Sequence, residues 1–286
     1  MPLTALQRWS AFWFTEEDPR RFAIMRIGWA LASLGAMLRI GPHLELLYTE
    51  QGILPARLAR QGWAHTHLLA NDWWILTELW QAQAAWGCCL GLLLLTLVGL
   101  GGRVPLVLSW LLLLSFEARN PLWPNGGNYV LRVFGFYLLL MPVTSAWSLD
   151  ALWRSPKPAA RWAVQLFRIN LCLLYLATGL DKAWFGEWWD GSAVALTMVP
   201  GAYARFPWME QLLSHPLTPW LSAPMSWSVL AWELTFWLVF FGRFRRWVLL
   251  FGLILHSSIS VLLDVPPFSS AILSCYLAFV ALPRRG

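Results

Sequence analysis

Of the chain's 286 residues, 58% are hydrophobic and only 13% charged, about half the charged share of an ordinary soluble domain. That is too little polar surface to cover a water-soluble globule. Successive apolar runs of about 15 to 25 residues match the roughly 20 that a helix needs to cross the hydrocarbon of a bilayer, and they lack the short alternating segments of a β-barrel. The net charge of +6 is accounted for by membrane topology and gives no reason to expect nucleic acid as a partner.

The expected fold is all-α: a polytopic transmembrane bundle of about eight spans, within a range of seven to nine, filling residues 1–286 as one domain. The spans are read at 22–40, 73–100, 104–116, 129–145, 164–180, 226–241, 247–263 and 268–282. Glu16, Glu17 and Asp18 precede the first apolar run and no small-residue cleavage pattern follows. The first span is therefore expected to stay in the mature protein. On eight spans with both ends in the cytoplasm, the inner segments receive Arg8, Arg20, Arg21, Arg103, Arg154, Lys157, Arg161, Arg243, Arg245, Arg246, Arg284 and Arg285. The outer segments keep Arg57, Arg60, Arg119 and Arg205. Twelve against four is the bias of the positive-inside rule, and it implies a multi-pass cell-membrane protein whose long loops face outside. Those loops are 41–72 and 181–223, the places where a short-looped bundle would build a site.

Tryptophan is abundant, at 22 residues. Trp73, Trp74, Trp123, Trp147, Trp188, Trp189 and Trp247 fall near span ends, where amphipathic indoles anchor at the headgroup level or stack on a flat ligand. Cys88, Cys89, Cys172 and Cys275 lie in apolar spans, as small hydrophobes rather than a disulfide or metal framework. His65-Thr66-His67 offers two metal-type ligands with no carboxylate or thiol beside them, so no metal site is expected.

Polar residues inside the apolar runs need partners or hydration. Arg26, Arg132, Arg168, Lys182, Glu233, His256 and Asp264 are such residues. Arg26 and Arg168 read as members of buried pairs that fix helix register. Glu233 and His256 fall at similar depth on consecutive antiparallel helices, so Glu233 is expected to meet His256 or Arg168. Asn125-Gly126-Gly127-Asn128 opens the fourth span, either as an ordinary turn and cap or as a helix start whose amides hold a substrate oxygen. Lys182 closes Tyr175-Leu176-Ala177-Thr178-Gly179-Leu180-Asp181-Lys182. Its amine either snorkels to the interface or turns inward, where loss of water favours the neutral, basic form.

Arg26-Ile27-Gly28, Tyr48-Thr49-Glu50-Gln51-Gly52-Ile53-Leu54-Pro55, Arg119-Asn120-Pro121, Asn125-Gly126-Gly127-Asn128, Trp147-Ser148-Leu149-Asp150 and Tyr175 through Lys182 together resemble the horizontally transferred transmembrane (HTTM) domain family. That family includes the membrane part of vitamin K-dependent gamma-glutamyl carboxylase. The resemblance implies a lipid-soluble substrate or cofactor such as a reduced, vitamin K-like quinone, with Lys182 as the general base in the outer half of the membrane. On that enzymatic reading the polar cluster is expected to supply substrate contacts from Asn125, Gly126, Gly127, Asn128 and Arg132, with Glu233, His256, Arg168 and Arg26 as supporting polar groups. The carboxylase's large lumenal domain has no counterpart here, and its histidine after paired asparagines is replaced by the Asn125-Gly126-Gly127-Asn128 string. The alternative role is a non-catalytic membrane factor that binds or matures a secreted peptide or protein.

Overall fold

The computed structural model describes residues 4–63, 77–154, 159–199 and 203–282, and it is predominantly helical. The His65-Thr66-His67 string, Trp73, Trp74, Lys157, Arg284 and Arg285 lie outside the described residues. Helix α1 (Ala5–Phe14) begins at Thr4, whose hydroxyl accepts from the Gln7 amide while the Gln7 side chain accepts from the Thr4 amide, a reciprocal cap. Strand β1 (Glu16–Glu17) pairs antiparallel with β2 (Ala159–Ala160). Helix α2 (Pro19–Ile40) starts on an Asp18 cap with proline at its first position, where the missing N–H costs nothing. There follow α3 (Leu44–Tyr48), α4 (Ala56–Trp63), α5 (Leu79–Val98), α6 (Val104–Arg119), α7 (Gly126–Leu139) and α8 (Trp162–Trp184). Three short helices, α9 (Gly186–Trp189), α10 (Ala193–Leu196) and α11 (Trp208–Leu213), lead to α12 (Thr218–Thr235), α13 (Gly242–Leu262) and α14 (Phe268–Tyr276).

Among the described residues, four helical stretches are long and apolar enough to cross a membrane: Pro19–Tyr48, Leu79–Val98, Trp162–Trp184 and Gly242–Leu262. Helices also occupy the other four segments read as spans, but they are shorter. Helices α6, α7 and α14 run for 16, 14 and 9 residues. At about 1.5 Å per residue, fourteen residues reach only about 21 Å. The local reason is proline and turn chemistry. Helix α7 ends at Leu139, before Pro142, rather than continuing to 145, and α14, which starts at Phe268 as read, gives way to turns at 277–279 rather than continuing to 282. Helix α12 passes at Phe236 into a tighter 3₁₀ segment, Phe236–Phe240.

The chain divides into two compact units, residues 1–165 with 270–286, and residues 166–269. In the first, α2 packs on α5 and α7, and α6 packs on both α5 and α7. Several tryptophans here are buried ties rather than surface anchors. The Trp29 indole, fully buried, donates to Leu131 O at 2.8 Å, and Trp86 donates to Met37 O at 2.7 Å. Trp147, Trp189 and Trp247 are exposed, at 55%, 60% and 56%, as interfacial anchors would be. All four cysteines are free thiols.

Two of the chain's distinctive strings hold one another in this unit. Arg119 donates to Leu54 O at 2.9 Å and Tyr48 O at 3.4 Å, and the Asn120 amide donates to Leu47 O at 2.8 Å. These buried donors satisfy carbonyls at the end of α3 and in the turn after it. Gly52 sits where an added Cβ would collide with the Leu46 and Glu45 carbonyls. Gly52→Ala is therefore expected to cost about 1–3 kcal/mol through overpacking against rigid backbone, read as a lower unfolding temperature of the purified protein.

In the second unit the expected long outer loop is laced onto α12. Ser222 and Ser226 donate to Gly191 O at 2.6 and 3.2 Å, and accept from the Ala195 and Val194 amides at 3.0 and 3.1 Å. Arg205 donates to Ser260 O and Leu263 O at 2.7 and 2.8 Å and lies 3.8 Å from Asp264.

Candidate functional site

Arg26 proves to be a carbonyl hub. It is 1% exposed and donates to Val143 O at 2.6 Å, Trp147 O at 2.5 Å and Leu97 O at 3.4 Å. The partners are backbone oxygens at the ends of α5 and in the segment after α7, so the arginine ties three pieces of chain together. Next to it, the Asp150 carboxylate accepts from the Gly101 and Gly102 amides at 3.1 and 2.6 Å, closing the turn between α5 and α6. The Arg26-Ile27-Gly28 and Trp147-Ser148-Leu149-Asp150 strings thus meet each other and build structure.

The glycine-rich string at the start of α7 is a cap. Asn125 Oδ1 accepts from the Gly127 amide at 2.8 Å, and the Asn128 side chain accepts from the Asn125 amide at 3.1 Å. The Asn128 amide is taken by Asn125 O at 3.0 Å. These bonds are those of a helix cap, the first of the two readings of this turn. Asn128 and Arg132 nevertheless face a common cavity with Tyr48 and Glu117. Arg132 lies 3.6 Å from Glu117 and its guanidinium sits 4.7 Å from the centre of the Tyr129 ring.

In the second unit, Lys182 turns inward. Its Nζ donates to Glu233 Oε1 and Oε2 at 2.9 and 2.8 Å, with the two side chains 25% and 10% exposed. Thr178 adds a hydrogen bond to the same carboxylate, and the Trp188 ring centre lies 5.3 Å from the amine. Gly179 makes this possible, since an added Cβ there would lie 3.1 Å from Glu233 Cβ and from the Leu234 amide. A larger residue would push α8 away from α12. Glu233 is held by Lys182, and neither His256 nor Arg168 is its partner, because the amine one helical turn past Gly179 reaches it first.

His256, 3% exposed, instead meets Tyr175, whose hydroxyl lies 2.9 Å from its Nε2. Phe236 and Trp232 pack on the Tyr175 ring at 4.2 and 4.7 Å between centres. Phe268 packs on the His256 ring at 5.5 Å. Tyr175 opens the same string that Lys182 closes, seven residues apart, so both lie on one side of α8 two turns apart. Arg168 lies further back on α8 and is half-buried. Tyr48, Glu117 and the aromatic cage around Tyr175 escaped the sequence reading. Glu117 stands one residue beyond the apolar run ending at 116, and that position is the signal that marks it. No group of three or more metal-type ligands occurs among the described residues.

Charged and polar pairs folded into apolar helices, with arginines satisfied by backbone carbonyls, define an integral membrane protein. The chain belongs to the HTTM domain family, whose model matches residues 14–282 and so runs through both units. It is similar to the protein YitO of Bacillus subtilis (strain 168), named only as uncharacterized, at 25% identity over 203 residues. That match covers 66% of this chain and 65% of YitO, a little under two thirds of the relative's length. No solved structure matches the chain.

Proposed function

We propose that this chain is an eight-span enzyme of the cell membrane, with both ends in the cytoplasm, that removes a proton from a quinol or other lipid-soluble substrate by means of Lys182. The observation that carries this reading is the Lys182–Glu233 pair, mostly buried and bidentate at 2.8–2.9 Å. The twelve-to-four distribution of basic residues supports the sidedness and puts Lys182 toward the outer face.

The pair is one proton transfer away from a neutral amine. In a site shielded from water, passing a proton from Nζ to the carboxylate removes both charges at once and so relieves their burial. The resulting amine can accept a proton from a weakly acidic hydroxyl of the substrate. Thr178 holds the carboxylate in place during the exchange, and the Tyr175–His256 pair two turns back fixes the face of α8 that presents the amine. A reduced quinone would suit these groups: Lys182 would take the proton of its hydroxyl, and the Trp188 indole, 5.3 Å from the amine, would offer its flat ring a partner. Such a molecule would supply an acidic hydroxyl and an oxidisable ring.

Lys182→Ala is expected to slow consumption of a reduced naphthoquinone under air by about 10²-fold or more, followed by mass spectrometry of extracts from protein in lipid nanodiscs. An unchanged rate would overturn the proposal.

A second reading is favoured by the exposed aromatics of the outer segment. Trp184, Trp189 and Trp220 are exposed at 87%, 60% and 79%, which suits a membrane factor that binds a secreted peptide or protein. On that reading substitutions at these tryptophans abolish function and Lys182→Ala does not.

A further inference from the structure

The first unit contains a polar cavity that the Lys182 chemistry does not use. Tyr48 comes from the end of α3, Glu117 from α6, and Asn128 and Arg132 from α7. The Tyr48 side chain is fully buried and its phenolic oxygen has no hydrogen-bond partner in the protein. Glu117 Oε2 is likewise buried and accepts no hydrogen bond, although Arg132 stands 3.6 Å from it. Buried polar atoms are nearly always satisfied, and each of these two calls for a partner. The phenol is not free to swing elsewhere, because the Phe116 ring packs edge-on against it at 5.0 Å and Arg119 binds the Tyr48 carbonyl.

The geometry points to a binding site for one neutral hydroxyl group, which donates to Glu117 Oε2 and accepts from the Tyr48 phenol. Charge selects against other occupants. A cation would meet the Arg132 guanidinium, and an anion would meet the Glu117 carboxylate. Size selects as well: the cavity is about 20 Å³, room for about one water-sized group and far from enough for an aromatic ring. The rest of the lining is largely apolar, with Met37, Ile40, Leu113 and Leu131. The occupant is therefore either a single water or the hydroxyl end of an amphiphilic alcohol whose body stays outside. This site rests on its own geometry and stands whether or not Lys182 is a base.

The full chain in nanodiscs can be titrated with decan-1-ol and, separately, with its methyl ether, which cannot donate. If an alcohol is the occupant, decan-1-ol raises the unfolding temperature saturably and the ether does not. Tyr48→Phe and Glu117→Gln then each weaken the apparent affinity by about tenfold. If a water is the occupant, alcohol and ether act alike, but the effects of Tyr48→Phe and Glu117→Gln on unfolding temperature are coupled, the pair costing less than the two singles together. The proposal is overturned if alcohol and ether act alike and the two substitutions are additive.

Discussion

Arg26→Ala is expected to be among the most damaging single substitutions in the first unit, lowering stability by about 4 kcal/mol or more and reducing the yield of folded protein. Three carbonyls, that of Val143 in a buried contact, lose a charged donor at once, and hydrogen bonds from charged groups are worth about 1.5–3 kcal/mol each. The two short ones, to Val143 and Trp147, alone account for most of the loss. Arg26→Lys should recover only part of it. An ammonium on a flexible stem does not reproduce the fork that reaches three carbonyls on two segments of backbone at fixed angles. Denaturant unfolding in mixed micelles compares the three proteins directly. Equal stability of Arg26→Ala and the wild type would mean that the carbonyls find other donors.

The second large effect concerns the Lys182–Glu233 pair. Glu233→Ala alone is expected to destabilise by about 3 kcal/mol or more, since it strands an ammonium in a largely apolar site. Lys182→Ala strands the more buried partner, a carboxylate 10% exposed against 25% for the amine, and is expected to cost at least as much. The double replacement Lys182→Met with Glu233→Leu removes both charges and should be more stable than the Glu233→Ala single. Activity separates structure from chemistry here. If Lys182 is the base, the stable double variant is as inactive as Lys182→Ala. If the pair only fixes the packing of α8 on α12, the double variant keeps its activity.

The membrane class and the helical character of the apolar runs had clear signatures in the sequence, because apolar run length needs no tertiary information. The direction of Lys182 did not: a lysine after Gly179 at the end of a span can snorkel or turn inward, and its carboxylate partner on α12 decides. What the sequence could not convey was partner choice. Glu233 and His256 looked like a pair from depth alone, but rotation about the helix axes decides, and it presents Glu233 to Lys182 and His256 to Tyr175. Arg26 looked like one half of an ion pair, because a sequence displays side chains and hides carbonyls, and its partners are carbonyls. Glu117 was passed over because the apolar run ends at 116, whereas α6 continues to Arg119. Helix lengths were overestimated where Pro142 follows α7 and where turns at 277–279 end α14.

The meeting of the recognisable strings has a consequence for how this family is sorted. Arg26 with the segment around Trp147, and Arg119-Asn120 with the segment around Tyr48 to Leu54, are clasps between side chain and backbone. A chain that keeps both clasps can be expected to close the first unit in the same way, whatever it acts on. The candidate chemistry is carried by a separate set: Tyr175, Lys182, Glu233 and His256, all within residues 166–269. The two clasps and the candidate chemistry are thus carried by different units of the molecule. Relatives with intact clasps and an exchanged Lys182–Glu233 pair are kin by architecture, to be grouped by trade only on those four positions.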